Sequence, residues 1–281
     1  MEITTITKKR IIEYASQGKR FDDRDLLEYR PTSIKFGISN MAEGSAEVSM
    51  GQTKVIAGVK LAVAEPYADS EEEGNLMVTV ELSPLSSENF QTGPPDVFAI
   101  EMARIIDRGI RESGIVDFKK LCIKKAELVW AVMVDIYPIN DDGNLIDAAA
   151  LAAVAALSSA VFPVLEGDKV SFGEFTTKHL PLTKDVPITM TFYKLENSIL
   201  LDPTTREEES SDTRVSIAIS EKEGKEKEPI INAMQKGGCK NAKNSPLTPE
   251  EMSIIIDTAV KEQKKIRKIL EEALEKQEKS K

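Results

Sequence analysis

Residues 142–157 read DGNLIDAAALAAVAAL, a short polar turn opening an apolar, alanine-rich helix. The first N–H groups of a helix lack partners and lie at the positive end of its dipole, so such turns hold anions. This turn has no Lys or Arg beside it, and it carries its own carboxylate, Asp147. Asp147 reads as the N-cap of a helix over about 148–161, a helix that caps itself. Two like unit charges about 4 Å apart repel by about 4 kcal/mol at an effective dielectric of about 20, so a second anion is opposed here.

A different chemistry is offered by VFAIEMARIIDRGIRESG, residues 97–114. Arg104, Arg108 and Arg111 recur at i, i+4 and i+7, within about one sixth of the circumference at roughly 100° per residue. Met102, Ile105, Ile106 and Ile110 fall on the other side. Guanidinium groups grip phosphate oxygens in a fork without reading a base. Asp107 and Glu112 flank these arginines, so a solvated face with internal ion pairs is the other reading.

Composition narrows the classes. The 281 residues suffice for a large core and one or two domains, and the net charge is −10. Acidic balance opposes indiscriminate nucleic-acid binding but permits a local basic stripe. Two distant cysteines, Cys122 and Cys239, suit a reducing cytoplasm and give no disulfide framework. The single histidine, His179, speaks against a histidine metal site or a Ser-His-Asp triad and reads as structural or exposed. No apolar run reaches the roughly 20 residues of a membrane helix, and MEITTITKKR lacks a signal-peptide core. There is no GxGxxG after a strand, no P-loop and no metal-ligand spacing, and the acidic ADSEEEG reads as a solvated loop.

The remaining elements must position these residues. TKKRIIEYASQ is helical and ends at Gly18; GKRFDDRDLLEYRP is a charged loop. SIKFGIS is a strand, GSAEVSMGQTKVIAGVKLAV a hairpin turning at Gly51-Gln52, and NLMVTVELSP another strand. Asp96 can cap the arginine helix. KLCIKKAELVWAVMVDIYPIN reads as two strands running into the DGN turn. VSFGEFTTK, ITMTFYKLENSILLDPT and RVSIAISE form a second set of strands, GKEKEP a polar loop and NAMQKGGC a turn. From Thr248 a long helix begins, with Thr248 as N-cap, Pro249 first in the helix and Glu251 closing a capping box.

Taken together, these stretches resemble the RNase PH-like family. GKRFDDRDLLEYRP resembles its opening G-x-R-x-D-G-R, with Asp23 in place of the second glycine. GSAEVSMGQTKVIAGV resembles its first hairpin, EMARIIDRGIRES its arginine-bearing helix, DGNLIDAAALAAVAAL its phosphate turn and LLDPTTREEE its later acidic motif. GPPDVFAIE and the long terminal helix resemble the non-catalytic RNase PH-like ring subunits of the archaeal exosome.

The resemblance implies an α+β fold, with β-sheets packed against amphipathic helices in two α/β sub-domains, residues 1–185 and 186–281. The long helix of the second is expected on that sub-domain's own strands. Active members resemble D-G-G-[ST]-R-[ST]-A at the turn; laid on this chain, the arginine falls on Ile146 and the hydroxyl on Asp147, a degenerate phosphate site. Asp202 matches the first acidic position, with Glu207 and Glu208 near the second, and the three read otherwise as a solvated acidic turn. The resemblance further implies a cytoplasmic subunit without cofactor, metal or catalytic residues. Arg104, Arg108 and Arg111 would bind single-stranded RNA beside a catalytic RNase PH-like partner, as three heterodimers in a hexameric ring carrying cap subunits with RNA-binding domains. The alternative is a chain that is itself an active phosphorolytic 3′-to-5′ exoribonuclease.

Overall fold

The computed structural model describes residues 4–222, 228–239 and 245–280. Helix α1 (Thr5–Ser16) precedes a sheet built from β1 (Thr32–Phe36), β2 (Gly44–Met50), β3 (Thr53–Ala64), β4 (Asn75–Val80), β5 (Cys122–Lys124) and β6 (Leu128–Asn140). Its order is β1-β2-β3-β6-β4, with β5 beside β6, and only β4 runs parallel to its neighbour. Strict alternation in β3 and β6 buries Val55, Ala57, Val59 and Leu61 against Val132, Val134 and Ile136. Helix α2 (Val97–Ser113) separates β4 from β5. It is capped by Asp96, whose side chain accepts the Ala99 N–H at 2.8 Å, and Gly114 ends it in the left-handed conformation.

Helix α3 (Leu145–Ser159) is apolar all round and almost wholly buried, as a helix enclosed on every side must be. Its alanines let the first sheet come close: a Cβ at Gly44 would stand 2.3 Å from the Ala156 carbonyl oxygen. The helix begins three residues earlier than its alanine run suggests, because Asn144 adopts φ 57° and turns the chain there. Val161 belongs not to α3 but to β7 (Val161–Glu166), which pairs with β8 (Lys169–His179).

The second sheet has the order β10-β9-β11-β12, all antiparallel: β9 (Ile188–Leu195), β10 (Ser198–Leu201), β11 (Thr213–Lys222) and β12 (Glu228–Gly238). The turn expected at NAMQKGGC is instead strand β12. This half-exposed edge strand pairs its backbone with β11 while its glycines and polar residues mimic a loop. The polar loop expected at 224–229 lies outside the described residues up to 227, and Glu228 and Pro229 already belong to β12. Between β10 and β11 sits the short helix α4 (Thr205–Ser210). The terminal helix α5 (Pro249–Ser280) packs on β9 and β11 but equally on β1, so it spans both sheets rather than serving the second alone. Buried Ile255, Ala259, Ile266 and Leu270 form the seam.

Candidate functional site

The polar turn at 141–144 joins β6 to α3 and is closed from three sides. Asp147 is the third residue of α3, not its N-cap; the cap position is held by Asn144, whose side chain makes no capping bond. The Asp147 carboxylate is only 1 % exposed and looks outward from the helix: Oδ2 accepts from the Tyr29 hydroxyl at 2.8 Å, the Thr191 N–H at 3.0 Å and the Asn144 amide at 3.1 Å. Oδ1 has no partner. Burial pushes its pKa up to about 6, against those hydrogen bonds, which favour the charged form. Ile146 stands in the apolar core at 2 % exposure.

Beside it lies a network that gathers residues far apart in sequence. Arg30 grips Asp202 with two guanidinium bonds of 2.9 and 2.8 Å and its backbone N–H at 2.7 Å. The same guanidinium donates to the carbonyl oxygens of Asp142 and Gly143. Arg24 reaches Asp202 at 3.1 Å, and Asn144 donates to it at 2.8 Å. Arg20 binds Glu207 and the carbonyl oxygens of Leu201 and Asp202. Glu208 accepts the Asn144 N–H at 2.7 Å and the Tyr193 hydroxyl at 2.9 Å.

The acidic motif is therefore no solvated turn. Asp202 is fully buried at φ 50°, a left-handed conformation that its three-sided grip stabilises. Burial works to raise its pKa, yet Arg30 and Asn144 hold the carboxyl below its ordinary value. Burial prevails at Glu208, whose carboxyl rises to about 7. Sequence reading missed Arg20, Arg24, Arg30, Tyr29 and Tyr193. Arg20 and Arg24 lie in the quoted G-x-R-x-D-G-R stretch, the one signal that could have marked them.

The arginines of α2 stand in a contrasting setting. They line a groove of about 1100 Å³ between β4, α2 and the edge strand β12. All three are exposed. Arg104 has no ion-pair or hydrogen-bond partner among the described residues, and Arg108 faces Glu112 at a loose 3.7 Å. Arg111 is taken up by its own protein: two bonds to Asp107 at 3.2 and 2.9 Å, one to the Leu76 carbonyl oxygen, and the Phe118 ring 5.8 Å away. Glu81, Asp107 and Asp135 also line the groove, with Asp135 accepting the Thr79 hydroxyl. Exposed Met77, Ile100 and Met234 make up its apolar part.

His179 ends β8 and is exposed. Among the described residues no group of acidic, Cys and His side chains is arranged to hold a metal, and no helix is long and apolar enough to cross a membrane.

Two family profiles match this chain: "3′ exoribonuclease family, domain 1" over residues 28–163 and "3′ exoribonuclease family, domain 2" over residues 185–262. An "Exosome complex component Rrp42" of Methanosarcina acetivorans is 39 % identical over 277 residues, covering 98 % of this chain and 97 % of that protein. One of Thermococcus gammatolerans is 42 % identical over 274 residues, covering 96 % and 95 %. A chain of the solved Archaeoglobus fulgidus exosome "with RNA bound to the active site" superposes with a TM-score of 0.82 at 36 % identity, covering 94 % of this chain and 97 % of that one.

Proposed function

Because the chain belongs to the 3′ exoribonuclease (RNase PH) family, we propose that it is a non-catalytic ring subunit of an exosome. It binds single-stranded RNA and helps form the active site of a catalytic RNase PH-like partner that degrades RNA from the 3′ end with phosphate. Three such heterodimers make a six-membered cytoplasmic ring beneath cap subunits with RNA-binding domains. The relatives named as exosome components, and the likeness to the RNA-bound archaeal exosome, support this reading.

The observation that carries the non-catalytic part is the state of Asp202. Phosphorolysis needs cations for the attacking phosphate and an acid for the leaving oxygen. Here Arg30 and Arg24 are bound to Asp202, and Arg20 to Glu207. Asp202 is thus held as a carboxylate with no proton to give, and the guanidiniums of Arg20, Arg24 and Arg30 are engaged by the chain's own carboxylates. Asp147 adds a carboxyl of the chain's own at the start of α3, where a phosphate would be drawn by the helix N–H groups. The RNA-binding part rests on Arg104 and Arg108, whose guanidiniums are exposed on the groove, one without a partner among the described residues and one loosely paired. Forked contacts to phosphate suit an RNA that must slide whatever its sequence.

The test measures phosphate-dependent shortening of single-stranded RNA by the purified chain alone and by the chain assembled with a catalytic partner. Activity only in the assembly, kept when Asp147→Asn is introduced here, is the expected result. Phosphorolysis by the lone chain would establish the opposite reading, an active exoribonuclease.

A further inference from the structure

Arg104 has no partner among the described residues although Glu101 lies one turn before it on the same helix, at the i, i+3 spacing where side chains meet. The Glu101 carboxylate is instead drawn to the second sheet. Arg214 of β11, only 7 % exposed, forms an ion pair with its Oε2, and Gln235 of β12 donates to its Oε1 at 2.8 Å. Phe98 lies over the same guanidinium at 5.8 Å. Gly237 makes the room: a Cβ there would stand 3.0 Å from Arg214 Nε, 3.3 Å from its Nη2 and 3.4 Å from Glu101 Oε1. The backbone at Gly237 is not left-handed, so glycine serves this position for space alone.

We propose that Arg214 and Gln235 are positioning residues for RNA binding: they hold Glu101 against the second sheet and so keep Arg104 free for a phosphate. This rests on the reading of Arg104 and Arg108 as the RNA contact. Without Arg214, the nearest cation in reach of Glu101 along its own helix is Arg104. The resulting i, i+3 pair would place a carboxylate where the RNA phosphate must lie.

The sign of this effect sets it apart from a structural role. Arg214→Met in the assembled ring removes a cation that touches no RNA, yet it should weaken RNA binding about tenfold and flatten the salt dependence by about 0.7, the slope of one lost phosphate contact. Adding Glu101→Gln to Arg214→Met should restore both, because no carboxylate remains to quench Arg104. Arg214→Lys should keep binding near the parent level. Gln235→Leu, at an exposed position of the edge strand, should give a smaller loss of the same sign, and it decides the matter if Arg214→Met prevents assembly. Unchanged affinity in Arg214→Met, or a loss that Glu101→Gln does not restore, overturns the proposal. The ring carrying Arg104→Glu and Arg108→Glu is measured beside them. If it binds RNA as well as the parent, the RNA contact itself has been misplaced; if it fails while Arg214→Met does not, only the clamp has.

Discussion

The closed cluster around Asp202 and the open groove along α2 carry the same kinds of charge and put them to opposite uses. At the cluster, guanidiniums from residues 20–30 meet carboxylates from residues 202–208 across more than 170 positions of sequence, with Asp202 shut away from water. At the groove, Arg104 stands exposed, with no partner among the described residues and open space in front. A buried charge must be matched by its own protein, because its desolvation is large. An exposed one can wait for a ligand, because water meanwhile satisfies it. The cluster therefore joins the two halves of the fold, and the groove is left to recognise something else.

The sharpest way to break this contrast is to unmatch the cluster. Asp202→Ala leaves the Arg30 guanidinium buried with its main partner gone. That should cost about 3–5 kcal/mol, read from urea unfolding. The groove should respond the other way round. Arg104→Glu with Arg108→Glu should shift stability by no more than about 0.5 kcal/mol, as surface changes do. The same pair should lower the RNA affinity of the assembled ring roughly 100-fold and its salt slope by about 1.4. If the two phenotypes were exchanged, the assignment of structure to one region and binding to the other would fall.

The cluster should also report its burial through pH, and the groove should not. The carboxyls of Asp147 and Glu208 stand at about 6 and about 7, above the 3.8 and 4.5 of the free groups. The folded chain thus keeps protons that the unfolded chain has released. Their contribution is complete below about pH 4 and is lost as the pH rises through the folded values. Asp202 has the opposite sign: its lowered pKa stabilises above its ordinary value and is lost as pH falls through the lowered one. Stability should peak at about pH 4 and decline toward about pH 8 by on the order of 5 kcal/mol. Glu208→Gln, which still accepts from Tyr193 and Asn144, should flatten that decline. An alkaline arm unchanged in Glu208→Gln would show that Glu208 is ionised in the fold.

What could be read from sequence follows the same division. The arginine helix, its Asp96 cap, the hairpin of β2 and β3 and the capping box at Thr248 and Glu251 all appear where their residues placed them, because each signal is local. The pairing within the cluster was illegible. GKRFDDRDLLEYRP looks like a solvated loop until Arg20 and Arg30 meet acids nearly 190 and just over 170 residues away. Asp147 looks like a cap until Asn144 turns left-handed and moves the helix start back to Leu145. Strand β12 was missed because an edge strand needs only one paired side and tolerates polar and glycine residues on its face.

The smallest effect sharpens the boundary inside the groove. Spacing alone makes Arg111 equivalent to Arg104, since both sit on one face of α2. Geometry separates them: Arg111 is committed to Asp107, to the Leu76 carbonyl oxygen at the start of β4 and to the Phe118 ring. An exposed i, i+4 pair of this kind is worth about 0.3–0.5 kcal/mol. Arg111→Ala should therefore lower stability by about 0.5 kcal/mol and leave RNA affinity within about twofold, whereas Arg104→Ala should lower affinity about tenfold and leave stability unchanged. Equal losses of affinity from both would mean that RNA pulls Arg111 away from Asp107. The rule that a matched charge stays structural would then stop at the surface of this helix.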